Sequence, residues 1–140
     1  MKVNNTNENT KEYDYDGKLI YEGEYLNGER NGKGKEYKYG ELEFEGEYLN
    51  GERNGKGKEF NRDRLIFEGE YLNGERNGKG KEYYKGQLEF EGEYLNGKRN
   101  GKGKEYNNFG KLIFEGEYIN GKKWNGKFYD ENNNVINELK

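Results

Sequence analysis

The amino-acid sequence predicts an all-β protein in which tandem β-hairpins form an elongated single-layer antiparallel sheet. A unit of 23 residues recurs along most of the 140-residue chain. Within each unit, apolar and polar residues alternate with the period of two that is typical of strands. Asn-Gly pairs, which favour tight turns, follow the alternating segments. A helix is disfavoured because 23 of the 140 residues are glycine, and each costs roughly 0.5–1 kcal/mol relative to alanine in a helix.

The chain begins with a polar segment and a partial repeat. Residues 1–10 have no apolar alternation and are predicted to be a disordered tail. The segment KEYDYDGKL at 11–19 matches KEYNNFGKL at 104–112 in six of nine residues. We therefore expect residues 11–18 to be the second half of an incomplete leading repeat, and the repeat array to span 11–140.

Five copies follow, at residues 19–41, 42–64, 65–87, 88–111 and 112–140. They share the frame Leu-x-(Tyr/Phe)-Glu-Gly-Glu-Tyr-(Leu/Ile)-Asn-Gly. In the copy that starts at Leu65, one strand runs to Leu72, a turn extends from Asn73 to Gly78, and a second strand continues to Tyr84. The near identity of the copies is typical of recent duplication or of consensus design. About eleven strands are expected, giving a body on the order of 50 Å long.

A glycine recurs in the middle of each first strand, where glycine normally weakens a sheet. We expect each to be structural, its missing side chain allowing an aromatic ring of the adjacent strand to lie on the backbone. Stacked rings would then form an apolar spine that no single hairpin could bury. These glycines are Gly23, Gly46, Gly69, Gly92 and Gly116.

The last copy, 112–140, diverges from the others and contains the single Trp124. Terminal repeats usually diverge because they cover an exposed apolar end. Two interpretations stay open for Trp124: a structural cap or a ligand contact. Residues 130–134 are predicted to form a turn and 135–139 a final edge strand.

The composition excludes most catalytic chemistry. The chain contains no Cys, His, Ser or Pro, so nucleophilic triads, histidine metal sites and disulfides cannot form. The loop at 28–34 lacks both the spacing and the following helix of a phosphate-binding loop. Glu22 and Glu24 share a strand face, but their repetition in every copy indicates a solvated ion-pair surface rather than a catalytic pair. We therefore predict no enzyme activity, no metal and no cofactor.

The start of the chain and the charge balance suggest location and partners. No apolar stretch of the length of a signal or membrane span follows Met1, so a cytoplasmic protein is expected. The net charge is only -3. The recurring Arg and Lys residues along the repeats allow a sign-balanced soluble surface or contact with anionic lipid headgroups, whereas nucleic-acid binding is not expected.

The frame Tyr-Glu-Gly-Glu-Tyr-x-Asn-Gly-x-x-x-Gly-x-Gly at 21–34 resembles the MORN (membrane occupation and recognition nexus) repeat. The resemblance extends over residues 11–140. It implies one long, twisted antiparallel sheet that is grooved along one face. It also implies a scaffold or adaptor, in some cases one associated with membrane phospholipids, and bacterial relatives include antitoxin components.

The function expected from these observations is a non-catalytic scaffold that binds a protein or peptide segment through an aromatic grooved face. The alternatives are a phospholipid-headgroup module, an antitoxin-like neutraliser of a toxin, and association with a second copy of the chain. Tyrosine suits a surface that is sometimes wet and sometimes covered. The expected anchors are Tyr48, Tyr71 and Tyr94, with Arg53, Arg76 and Arg99 as their polar rim.

Overall fold

A computed structural model describes residues 7–140 of the chain. These residues form a single antiparallel sheet of twelve strands in sequential order, so each strand pairs with the strands before and after it in the sequence. The strands are β1 (Glu8–Tyr13), β2 (Leu19–Leu26), β3 (Glu29–Lys38), β4 (Glu41–Leu49), β5 (Glu52–Asn61), β6 (Arg64–Leu72), β7 (Glu75–Tyr84), β8 (Gln87–Leu95), β9 (Lys98–Tyr106), β10 (Leu112–Ile119), β11 (Lys122–Tyr129) and β12 (Val135–Leu139).

The all-β class and the succession of hairpins are confirmed, but the boundary of the polar tail is wrong. β1 already begins at Glu8, where Thr10 is paired with Gly23 and Lys11 with Glu22. An edge strand can form from polar residues because the neighbouring strand supplies its backbone hydrogen bonds. Residues 8–10 therefore belong to the sheet, and residues 1–6 lie outside the described residues.

The turn within each repeat is shorter than predicted. Asn73 and Gly74 both adopt positive φ, at 49° and 86°, as a two-residue hairpin turn requires. β7 then resumes at Glu75, so Asn77-Gly78 lies inside this strand instead of closing the turn. Gly78 has φ 98° and coincides with the register shift against β6. The second Asn-Gly pair thus forms a bulge that absorbs extra residues within the strand.

The core lies on one face of the sheet and consists entirely of aromatic rings. We call these nine buried rings the aromatic column. Apart from Phe114, each packs edge to face against neighbours in its own and the adjacent repeat; the Phe44 and Tyr71 centroids, for example, are 5.1 Å apart. This geometry is the preferred one for aromatic pairs. The column comprises Tyr21, Phe44, Tyr48, Phe67, Tyr71, Phe90, Tyr94, Phe114 and Tyr118.

Glycines directly paired across the strands form a row beneath the aromatic column. A Cβ atom on Gly57 would lie 2.5 Å from ring atoms of Phe44, which belongs to the adjacent strand β4. At Gly46 the nearest obstacles are instead the Lys56 carbonyl oxygen at 2.6 Å and the Gly57 Cα at 2.7 Å, followed by the ring of Phe44 in its own strand. The mid-strand glycines therefore allow close backbone contact as well as ring packing.

The end of the chain follows the predicted order of turn and strand. The Asp130 backbone N–H donates to the Asn134 carbonyl at 2.9 Å, and β12 begins at Val135. Phe128 packs against the last repeat's end of the aromatic column, where its ring centroid is 4.8 Å from that of Phe114. Trp124 stands apart from the column and is half exposed. Phe128 therefore takes the capping position that one interpretation gave to Trp124. The other interpretation, that Trp124 contacts a ligand, stays a prediction.

Candidate functional site

A long groove lies on the face of the sheet opposite the aromatic column. Its volume is about 2080 Å³, and it extends from Asn9 and Thr10 on β1 to Asn125 on β11. The row of paired glycines supplies its floor, since glutamate and lysine side chains project only on either side of that row. Successive residues of a strand point to opposite faces, so Glu45 and Glu47 line the groove while Phe44 and Tyr48 enter the column.

Two rows of charged residues cross the strands along the groove. In the first row, lysine and glutamate alternate without interruption over all twelve strands, as paired residues. Each strand from β3 to β10 contributes one sign to both rows, and its neighbours contribute the other. The first row comprises Lys11, Glu22, Lys35, Glu45, Lys58, Glu68, Lys81, Glu91, Lys104, Glu115, Lys127 and Glu138. The second contains the pairs Lys33 with Glu47, Lys56 with Glu70, Lys79 with Glu93, and Lys102 with Glu117.

The carboxylates of the groove are largely engaged within the protein. The Lys56 backbone N–H donates to Glu47 at 2.9 Å, and the Lys79 N–H donates to Glu70 at 2.6 Å. Glu68, a member of the first row, accepts a hydrogen bond from the Tyr83 hydroxyl at 2.6 Å. Burial, together with this bond to a carboxylate, raises the pKa of Tyr83 to about 12, which keeps the hydroxyl protonated as a donor.

The lysine ammonium groups of the groove are, by contrast, almost all unpaired. Within residues 7–140, only Lys11 among the groove lysines has its Nζ within 4.0 Å of a carboxylate, at 3.9 Å from Glu22. The groove therefore offers cations that an incoming group can bind without breaking an existing ion pair. A glutamate such as Glu47 uses only Oε2 for its backbone bond and keeps Oε1 for a partner.

The predicted anchors do not line this groove. Tyr48, Tyr71 and Tyr94 are only 4–5% exposed and belong to the aromatic column. The expectation of one face that is both aromatic and grooved is wrong, because the rings and the groove lie on opposite faces of the same sheet. The tyrosines are covered by side chains of neighbouring strands, so their burial needs no partner. A role for them in binding stays a prediction.

The predicted polar rim instead covers the aromatic column. The guanidinium carbon of Arg76 lies 4.0 Å from the Phe67 ring centroid, and that of Arg53 lies 4.1 Å from that of Phe44. Stacking on a ring suits the planar guanidinium group. Ion pairs with glutamates of the same strand, or of the strand two positions earlier in the sheet, hold the arginines there. This arginine lattice consists of Arg30, Arg53, Arg76 and Arg99 with Glu12, Glu36, Glu59, Glu82 and Glu105.

The environment of Glu59 shows how the arginine lattice is held together. The Arg76 Nε donates to Glu59 at 2.7 Å, and the Tyr71 hydroxyl donates to the same carboxylate at 2.5 Å. Burial opposes ionisation of Glu59, but these two hydrogen bonds outweigh it and lower the pKa of the carboxyl. Glu59 therefore remains ionised at neutral pH and fixes both neighbours.

The basic residues of each repeat divide between the two faces of the sheet, a division that the sequence-based prediction missed. In the sequence, Arg53, Lys56 and Lys58 resemble one basic ladder. Arg53 lies in the arginine lattice, whereas Lys56 and Lys58 line the groove. The odd spacing between Arg53 and Lys56 could have indicated opposite faces, because strand side chains alternate.

A second exposed surface follows the turns that connect one repeat to the next. Tyr39 is 84% and Phe109 87% exposed, and Tyr15 and Tyr84 also project into solvent. The Lys38 Nζ lies 5.6 Å from the Tyr39 ring centroid, and the Lys85 Nζ lies 5.4 Å from that of Tyr84. We call these four aromatic residues the aromatic turn edge.

Two other kinds of site are absent from residues 7–140. No group of three or more histidine, cysteine, aspartate or glutamate residues in this range is arranged to hold a metal ion. Nor does the same range contain a helix long and apolar enough to cross a membrane.

Comparison with known proteins identifies the repeat. The family model of the MORN repeat matches four segments, at residues 21–39, 44–63, 67–87 and 90–110. Together these segments cover more than half of the chain, and each contains the paired glycines and the buried aromatic residues of one hairpin. No curated protein matches the chain.

Proposed function

Because the chain belongs to the MORN repeat family, whose repeats are generally scaffolds for interactions with proteins or membranes, we propose that it is a non-catalytic scaffold that holds a segment of a partner protein in the groove. The all-β repeat fold and the family both favour a scaffold over an enzyme. The groove is the surface that this proposal assigns to the partner.

The observation that carries the proposal is the size and state of the groove. Its volume of about 2080 Å³ is larger than the 300–1,000 Å³ or so of typical small-molecule sites. Its length crosses eleven strands, and in the described part of the chain its lysines lack ion pairs apart from Lys11. A polypeptide segment can use this length, whereas a small molecule would occupy only a fraction of it.

Selection from a displayed peptide library tests this function even though the partner is unidentified. The affinity of peptides selected on the immobilised chain would be measured by calorimetry. Their contacts would be mapped by the shifts of the chain's amide signals in nuclear magnetic resonance spectra. We expect the largest shifts at groove residues such as Gly57 and Lys58. The double variant Lys58→Gln/Lys81→Gln should weaken binding, whereas Lys38→Gln/Lys85→Gln at the turns should not. A library that yields no binders, or only binders outside the groove, would refute the proposal.

Attachment to a membrane surface is the second candidate, and the aromatic turn edge is the observation that favours it. Aromatic side chains beside lysines are typical of residues at a membrane interface. The near balance of acidic and basic residues, however, leaves little general attraction to anionic lipid. With vesicles containing about 20% anionic lipid, we expect weak sedimentation that disappears near physiological salt. Salt-resistant binding that is lost in Tyr39→Ser/Phe109→Ser would make the membrane the main partner.

A further inference from the structure

We infer that the groove selects an α-helical segment whose contacting face carries acidic and basic side chains in alternation, about one charge every three to four residues. This inference rests on the proposed function and specifies the chemistry of the partner. Three properties of the groove support it: the order of its charges, their balance, and their spacing.

The order of charges requires a partner with both signs. Glu45 and Glu47 on β4 present two carboxylates, and Lys56 and Lys58 on β5 present two ammonium groups. The same alternation continues from strand to strand along the groove. A partner that lies across the strands therefore meets opposite signs in succession.

The balance of charges disfavours partners of a single sign. Among the residues that the structure describes, nine lysines and nine glutamates line the groove, so their charges cancel. A polyanion such as a nucleic acid would gain at each lysine strand and lose at each glutamate strand. A mixed-charge segment in the right register gains at both, because within residues 7–140 every groove lysine except Lys11 has an unpaired ammonium group, and Glu47 and Glu70 each retain Oε1.

The spacing of the charges identifies the conformation of the partner. Neighbouring strands lie about 4.8 Å apart, so like charges recur about every 9.6 Å along the groove. An α-helix rises about 1.5 Å per residue, and side chains three or four positions apart share one face at about 4.5–6 Å. Facing side chains of an extended strand recur at about 6.6 Å, which falls out of step with the strands. Those of a polyproline helix recur at about 9.3 Å and would meet strands of one sign only.

Two synthetic helices of identical composition provide the test. Both would be stapled to fix the helical conformation. One would alternate Lys and Glu along a single face, and the other would place all Lys on one face and all Glu on the opposite face. By fluorescence anisotropy, we expect the alternating helix to bind at least about tenfold more tightly than the segregated helix, equivalent to about 1.4 kcal/mol.

Variants of the chain assign the effect to the groove. Lys58→Gln/Lys81→Gln should reduce affinity for the alternating helix about tenfold. The matched control Lys38→Gln/Lys85→Gln removes the same charge from the turns and should leave the affinity unchanged. Unaltered far-ultraviolet circular dichroism would show that both variants remain folded, as expected from substitutions at exposed side chains.

The inference is overturned if the segregated helix binds as tightly as the alternating one, or if neither helix binds. It is also overturned if vesicles of anionic lipid bind in the groove more tightly than the alternating helix. The library selection separates this result from a failure of the proposed function. Groove-bound peptides without alternating charge would refute the inference alone, whereas the absence of any groove-binding peptide would refute the scaffold role.

Discussion

Tyr48 and Tyr71 occupy equivalent positions in successive repeats, yet their hydroxyl groups have different environments. The Tyr71 hydroxyl donates to Glu59, whereas the Tyr48 hydroxyl is buried without a hydrogen-bond partner among the described residues. Burial raises the pKa of both tyrosines, most directly by disfavouring the phenolate. The two sites thus form an internal comparison of a satisfied and an unsatisfied polar group in one core.

Replacing each of these tyrosines by phenylalanine should have opposite consequences. Tyr71→Phe removes a hydrogen bond to a charged acceptor and should lower the free energy of unfolding by about 1.5–3 kcal/mol. Tyr48→Phe removes a buried hydroxyl that has no partner and should be neutral or stabilising by up to about 1 kcal/mol. Urea denaturation of both variants measures the difference. Equal losses of stability would show that the Tyr48 hydroxyl has a partner in solution.

The paired glycines predict a second difference between neighbouring residues. A Cβ at Gly46 would contact the backbone of Lys56 and Gly57, which cannot move without disturbing the sheet. Gly46→Ala should therefore destabilise the protein by roughly 1–3 kcal/mol through overpacking, although alanine restricts the unfolded chain more than glycine does. The adjacent, exposed Glu45→Ala is the control and should change stability by less than about 0.5 kcal/mol. Thermal unfolding that ranks the two in reverse would contradict the close backbone contact.

At the scale of strands, the arginine lattice explains how one sheet buries a core without a second layer. It forms two runs of alternating ion pairs, one from Glu12 to Arg53 and the other from Glu59 to Lys123. Each guanidinium group lies above a ring of the aromatic column. The arginines therefore cover the rings and connect strands that do not pair directly.

Acid should weaken this lattice. Arg76 and Tyr71 outweigh the opposing effect of burial and lower the pKa of Glu59 below its usual 4.5. Tyr118 and Lys123 do the same at Glu105. A lowered pKa in the folded state stabilises the protein above the unfolded-state value, and this stabilisation is lost as the pH falls through the folded-state value. The free energy of unfolding should thus decrease from pH 6 to pH 3.

Glu59→Gln isolates one member of the lattice. At pH 7 it should cost about 1–3 kcal/mol because it leaves Arg76 with a weaker partner. It should also reduce the dependence of stability on pH between 6 and 3, whereas the exposed control Glu45→Gln should not. Urea titrations at several pH values check both statements. An unchanged pH profile in Glu59→Gln would show that this carboxylate does not contribute to acid unfolding.

The strands could be predicted because their sequence signals are local and repeated. In the copy from Leu65, the alternation indicated which residues share a face, and Asn73-Gly74 indicated the turn. The functional face could not be predicted, because a period of two does not show which face is covered. The tyrosines suggested a surface exposed to water. In the structure, however, the rings of this copy are covered by Arg76 of the next strand, which forms ion pairs with glutamates of β5 and β7. The pairing of Lys58 with the oppositely charged Glu68 depends on the register between strands, and the sequence reveals this register only once the bulges are placed.

At the scale of the whole molecule, each repeat contacts only its neighbours. Strands pair in sequential order, and further backbone bonds join successive repeats, as where the Gly74 N–H donates to the Arg53 carbonyl at 2.9 Å. Stability should therefore be close to a sum of repeat and interface contributions.

Deleting one complete repeat tests this additivity. Removal of residues 65–87 places Leu88 after Arg64, in the position that Leu65 held, and brings Arg99 opposite Glu59. We expect a folded protein that is shorter by two strands, or about 10 Å. Its denaturant m-value should fall by about one sixth, in proportion to the residues removed. Small-angle scattering and urea denaturation measure the two changes, and an unfolded product would show that the repeats are not interchangeable.

The near identity of the repeats has a consequence for any charged segment seated in the groove. A shift by one strand would bring like charges together, whereas a shift by two strands would restore almost the same contacts. The groove would thus provide several equivalent binding positions about 9.6 Å apart. A bound segment would be distributed over these positions and would gain entropy from their number. It would move between them in discrete steps instead of sliding continuously.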